Sequence, residues 1–193
     1  MTREARLEDA GSGLVPVEDG WFVVSVRDAA WLANDCFGHR CVFEADVPVV
    51  RHRPELEPRR FPQIGVNLAV LEPGKPSGLY HAETDQEAFL VLSGECDLVV
   101  EGEERHLRAW DFFHCPAGTA HVFVGAGDDA CVVLMLGARS DGRRTSYPVD
   151  PAALRRGAGV ATATDAPREA YARLPHWRPG GLEADRRLPW YRP

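Results

Sequence analysis

Hydrophobic and polar positions change rhythm near residue 63. From there, short segments rich in β-branched and aromatic residues are cut by turn residues at close, regular intervals, which is the signature of an all-β sandwich or barrel. The pattern predicts strands at 64–71, 79–83, 87–92, 96–101, 104–107, 111–115, 121–124 and 131–137. Between them stand turn-forming groups built on Gly74, Gly94, Gly102, Gly118 and Gly127. Turns this tight leave no room for parallel crossovers, so the sheet is expected to be antiparallel.

Outside this stretch the pattern is less regular. Residues 1–13 are polar and Gly-containing, and are expected to be disordered. Residues 14–62 read as an extension packing on the barrel: a β-prone run at 21–26, a short helix at 27–33, a strand at 41–50, and a loop at 51–62 imposed by Pro54, Pro58 and Pro62. The barrel itself is assigned to 63–139. In 140–193, Asp150 and Pro151 start a short helix that Gly157 closes, and 166–174 reads as a second. The tail aromatics Trp177 and Trp190 are expected to pack on the barrel surface or on a partner subunit, with Pro179 and Pro193 among them.

Composition narrows the function classes. At 193 residues and 45% hydrophobic content the chain supports one core rather than two. A net charge of −7 with both signs interspersed offers no extended cationic face, so nucleic acid is not an expected partner. The longest apolar run, 131–136, lies between Asp129 and Arg139 and is far short of the roughly 20 residues that span a bilayer. With a polar N-terminal stretch, this predicts a cytoplasmic protein. Five cysteines without a CxxC pair suit free, buried thiols. GxGxxG before a helix, GxxxxGK[ST] and GxSxG are all missing, so nicotinamide, P-loop and α/β-hydrolase chemistry find no support.

The chemistry is concentrated in two segments. Residues two apart on a strand share a face, so His81 and Glu83 project together, and a neighbouring strand can bring Glu87 beside them. If the turn at Pro116 and Gly118 returns the chain across the barrel, His121 joins the group. Imidazole and carboxylate donors in one place suit a divalent Fe, Mn, Zn, Ni or Cu ion.

At these residues the chain resembles the cupin superfamily. His81, position 83, Glu87 after three further residues and Gly94 after six more follow the spacing of that family's first motif; Pro116, Gly118 and His121 follow the second. The 15 residues between Gly94 and Trp110 are similar to the short inter-motif spacing of compact microbial cupins. The chain departs from the pattern at four places: Glu83 replaces a histidine, Lys75 stands where the first glycine belongs with Gly74 one place early, Trp110 replaces the second motif's glycine, and Gly125 its asparagine.

The resemblance implies an antiparallel double-stranded β-helix, or jelly roll, holding one divalent metal ion on His81, Glu83, Glu87 and His121. Two readings of Glu83 stay open. As a ligand, it gives a site with no net charge on a divalent ion and favours Mn or Fe over Cu; unligated, it is a candidate general base beside a two-histidine, one-carboxylate set. Metal-free cupin epimerases use His and Tyr instead, but Tyr80 is expected on the opposite face from His81.

Other polar residues carry weaker signals. His114 is expected near the barrel mouth, and Cys96 and Cys115 as buried filler within reach of the cavity; His39, His52, His106 and His176 fall outside the motifs. Asn67 interrupts an apolar strand, which fits a cavity-lining position, an edge strand or a subunit contact. The resulting expectation is a metal-dependent enzyme of dioxygenase, isomerase or lyase type acting on a small organic molecule, with a non-catalytic metal- or metabolite-binding module as the alternative, and a homodimer in either case.

Overall fold

A computed structural model describes residues 3–182 and 188–191. Its strands are β1 (Leu7–Asp9), β2 (Leu14–Pro16), β3 (Trp31–Asn34), β4 (Gly38–Val42), β5 (Ile64–Leu71), β6 (Ala82–Glu83), β7 (Glu87–Ser93), β8 (Glu95–Val100), β9 (Glu103–Arg108), β10 (Phe112–Cys115), β11 (His121–Ala126), β12 (Cys131–Ala138), β13 (Thr145–Ser146) and β14 (Arg178–Pro179). Short helices α1 (Val47–Val50), α2 (Pro151–Arg155) and α3 (Pro167–Ala170) flank them. One sheet runs β10-β7-β12-β5-β4-β3-β14, a second runs β11-β8-β9, and every strand pairing is antiparallel. This is the all-β double-stranded β-helix barrel with short flanking helices.

Strand alternation divides the barrel interior along its length. Inward-facing Ala69 and Leu71 of β5, Phe89 and Val91 of β7, Cys96 and Leu98 of β8, Phe123 of β11, and Cys131 and Val133 of β12 form one buried apolar cluster between the sheets. Continuing each strand by two residues on the same face gives Asn67 on β5, Glu87 on β7, His121 on β11 and Met135 on β12, all lining a cavity at the other end. One end of the barrel is therefore plugged with hydrocarbon and the other is polar and open.

Outer faces are covered as well. Cys41, Leu68, Val70 and Val132 on the outside of the larger sheet pack against Trp31, Leu188, Val24 and Val26. Trp190 packs against Trp31 in a tilted arrangement with ring centroids 5.6 Å apart, so this tail aromatic is applied to the barrel surface; Pro193 lies outside the described residues. On the smaller sheet, Val99 and Val122 are covered by Ala152 and Ala153 of α2 together with Tyr80. Helix α2 starts where the sequence indicates, with the Asp150 side chain accepting from Ala153 N–H at 2.8 Å and Pro151 in the first turn.

Several N-terminal expectations differ from the structure. Residues 3–13, expected to be disordered, contribute β1, which pairs with β2; Met1 and Thr2 lie outside the described residues. The stretch 21–26 makes no strand of its own, and the helix expected at 27–33 is replaced by a turn and by β3, whose residues are all buried and paired with β4. Tertiary pairing outweighs the helix preference of its alanines. The strand expected at 41–50 starts earlier, at Gly38, and stops at Val42; Asp46 then caps α1, with a proline in its first turn.

Candidate metal centre

His81 and His121 face each other across a reciprocal backbone bridge: His81 N–H donates to His121 O at 3.2 Å and His121 N–H to His81 O at 2.9 Å. This sets their ring centroids 5.1 Å apart. Each ring is held in the same way, its Nδ1–H donating to the carbonyl two residues upstream: Leu79 O at 2.7 Å for His81 and Thr119 O at 3.2 Å for His121. Because a carbonyl only accepts, both Nδ1 atoms carry the proton and both Nε2 lone pairs remain available to a ligand.

Glu87, at the start of β7, completes the group. Its Oε2 lies 3.7 Å from His121 Nε2, and ligand atoms of His81, Glu87 and His121 all fall within 4.8 Å of one another. Burial, followed by the nearby Glu83 charge, pushes the Glu87 carboxyl up to about 8. Burial, then the His81 charge, pushes His121 down to about 4, and burial also lowers His81. The pocket disfavours both an isolated carboxylate and isolated imidazoliums, so two neutral nitrogens and one acidic oxygen converge where a cation would compensate them all. The donor set fits a divalent ion with open positions.

Glu83 sits beside this trio. Its Oε1 is 4.0 Å from His81 Nε2, its Oε2 accepts from Arg143 Nη1 at 2.9 Å, and its backbone carbonyl accepts from Gly118 N–H at 2.7 Å. The trio is thus assembled without Glu83, which an arginine holds at its margin. Cys115 Sγ is 3.5 Å from His121 Nδ1, and burial pushes this thiol up to about 12, the setting of an inert packing residue. Cys96 belongs to the apolar plug. His114, His52 and His176 are exposed, as is His106, which binds Asp97 at 2.9 Å. Tyr80 packs beneath α2, away from His81.

The trio lies in a cavity of about 330 Å³. Asn67 lines it from β5, a strand flanked by β12 and β4, so the edge-strand reading of this residue is excluded. Further lining groups escaped sequence reasoning, among them Arg40 on β4, Arg139 and Arg143 after β12, and Tyr147 and Tyr171 from the C-terminal region; Trp177, expected on the barrel surface or a partner, lines the cavity as well. The alternation of Arg40 and Val42 with His39 and Cys41 is a local signal for an inward arginine, but it becomes readable only once β4 is known to start at Gly38.

A β-helix of this topology, with two histidines and a carboxylate clustered at its open end, is a small β-barrel carrying a candidate metal site. Residues 67–137 match the family model described as the cupin domain, and the barrel has the cupin fold. Among solved structures, the chain is similar to a sugar phosphate isomerase of the cupin superfamily from Silicibacter pomeroyi, with 21% identity, 67% of this chain and 88% of that one covered, and a TM-score of 0.51. It is also similar to a protein assigned as a sugar phosphate isomerase from Acidithiobacillus ferrooxidans (28% identity, 55% of this chain covered, TM-score 0.43), of whose length the match spans 64%. A third is a cupin 2 conserved barrel domain protein from Salinispora arenicola (25% identity, 40% and 64% covered, TM-score 0.37). No curated protein matches the chain. Among the described residues, no helix is long and apolar enough to cross a membrane.

Proposed function

We propose that this chain is a metal-dependent enzyme that transforms a small organic molecule inside the barrel, with His81, Glu87 and His121 holding the metal and Glu83 acting on the substrate as general base. The observation that carries the reading is the convergence of one ligand atom each from His81, Glu87 and His121 within 4.8 Å on the wall of the cavity. A divalent ion bound there would act as a Lewis acid on a substrate oxygen. The reciprocal backbone bridge and the two Nδ1–H···O=C bonds fix the imidazoles before any ligand arrives, which lowers the reorganisation needed on binding. Arg143 Nη1 donates to Glu83 Oε2 at 2.9 Å, which fixes this carboxylate on the cavity wall beside the trio, within reach of a bound substrate. The buried aromatic rings of Phe89 and Phe123 close the inner end of the site against water.

The test is metal analysis of the purified protein, paired with variants. His121→Ala should lower metal content at least tenfold, whereas exposed His106→Ala should leave it unchanged; equal retention removes the site as assigned. Glu83→Gln should keep the metal and lose turnover of whichever metabolite the loaded protein consumes. Metal and metabolite binding without any product would favour the binding module instead.

Assembly as a homodimer belongs to the same reading. One edge strand of the larger sheet is β10, where Phe112 is 64% exposed and Trp110, just before the strand, 74%; a second copy covering that edge would bury both. A monomer by light scattering at micromolar concentration would reject it.

A further inference from the structure

The cavity is lined by four arginines, Arg40, Arg60, Arg139 and Arg143, and four acids, Glu44, Asp46, Glu83 and Glu87. Three pairs account for most of them: Arg60 with Asp46 at 2.8 Å, Arg139 with Glu44 at 2.6 Å and Arg143 with Glu83 at 2.9 Å. Two groups are left over. Glu87 lies 3.7 Å from His121 Nε2, in the same group as His81, and Arg40 has no carboxylate within ion-pair distance among the described residues.

Arg40 is nonetheless held firmly. Its Nη2 donates to Ser77 O at 3.0 Å and its guanidinium lies 4.8 Å over the Trp177 ring. Its buried Nε–H has no acceptor among the described residues. Pairing of Arg40 with Ala69 in the register of β4 and β5 turns the side chain to the barrel interior, on the same cavity as the trio. Burial pulls its pKa below the ordinary arginine value, and Tyr171, then Asp46 and Glu87, offset this only in part. A buried cation stacked on one face, anchored at one nitrogen and unsatisfied at another is costly unless an anion joins it. Guanidinium geometry matches a carboxylate or phosphate.

We infer that the cavity takes a small organic anion, whose carboxylate or phosphate group binds Arg40 while an oxygen elsewhere on the molecule reaches the His81, Glu87 and His121 group. This deepens the proposed function, and rests on it for the second contact only. With three arginines neutralised by acids of their own, Arg40 supplies the charge that selects acids over neutral molecules of the same shape. A volume of about 330 Å³ fits a metabolite-sized ligand rather than a polymer.

The experiment is calorimetric titration of chelator-treated protein with lactate, with its neutral isostere lactamide and with inorganic phosphate. Lactate or phosphate should bind the wild-type protein at least tenfold more tightly than lactamide. Arg40→Gln should abolish that preference, and Arg40→Lys should retain part of it. Preference for phosphate over lactate would assign phosphate esters, and the reverse would assign carboxylates. Equal binding of lactate and lactamide to the wild-type protein, silence of both anions, or unchanged anion affinity in Arg40→Gln overturns the inference. The wild-type comparison needs no variant to fold. Because metal content is measured separately, loss of the metal site would sink the catalytic reading while leaving the anion comparison interpretable.

Discussion

Replacing Gly125 with alanine gives a sharp test of how β11 is seated. An alanine Cβ at this position would lie 2.2 Å from Glu72 O and 2.8 Å from Leu71 O, both backbone atoms. Neither can swing aside, so the segment following β5 and strand β11 would have to separate by about 1 Å to restore ordinary contact. Two hydrogen bonds oppose this: Gly125 N–H to Lys75 O at 2.9 Å and Gly74 N–H to Gly125 O at 2.8 Å. Losing both costs about 2 kcal/mol, and residual overpacking adds about 1 to 3 kcal/mol. The expected destabilisation is therefore about 3 to 5 kcal/mol by urea denaturation. Gly74→Ala is the control: its φ is +79° but no atom lies within 4 Å of the added carbon, so only backbone strain of about 1 to 2 kcal/mol applies. Because β11 also carries His121, the Gly125 variant should lose affinity for a metal as well if the trio holds one. A Gly125→Ala protein within about 1 kcal/mol of wild type, or no less stable than Gly74→Ala, would refute the steric argument. The same clash explains why asparagine, usual at this place in the second cupin motif, has no room here.

Other outcomes follow from the same geometry. Arg139→Met should destabilise the protein by about 3 to 5 kcal/mol in denaturant titration, because it strands the Glu44 carboxylate, which is 2% exposed. If the trio holds a metal, adding the ion at one hundred times its Kd should stabilise the chelated protein by about 2.7 kcal/mol, a rise in Tm of roughly 5 to 10 °C by calorimetry; His121→Ala should show no such rise. Hydrogen bonds from Arg156 and Arg155 hold exposed Glu104 below its ordinary pKa, so its stabilising contribution is complete above the unfolded-state value and fades as pH falls through the folded one. Urea curves of wild type and Glu104→Gln should accordingly differ at pH 7 and converge in acid.

The sequence made the barrel legible because its strands alternate and its turns carry glycine, and it made the trio legible because motif spacing places His81, Glu87 and His121 at fixed intervals. Trp110 shows how local that information is. The motif's glycine is gone, yet the backbone keeps φ at +77°, a glycine-like conformation maintained by Asp111 N–H donating to Arg108 O and Trp110 N–H to Val91 O. Arg40 was hidden for the opposite reason. Its place in the cavity depends on the register of β4 against β5, joining Arg40 to Ala69 across a long intervening segment that no periodicity constrains. The strand β3 was misread because an alanine-rich stretch prefers helix in isolation, and the pairing that overrides this comes from β4 and from β14 near the other end of the chain.

The lengthwise split of the interior has a consequence for how such a barrel diversifies. On β5, β7, β11 and β12 the residue that secures the fold and the residue that meets a guest molecule are neighbours on one face, a single rung apart. Exchanging Asn67 or Met135 would redraw the guest's outline while Ala69 and Val133 go on sealing the far end. New preferences thus need only edits to the outermost rung, with the apolar plug left as inherited.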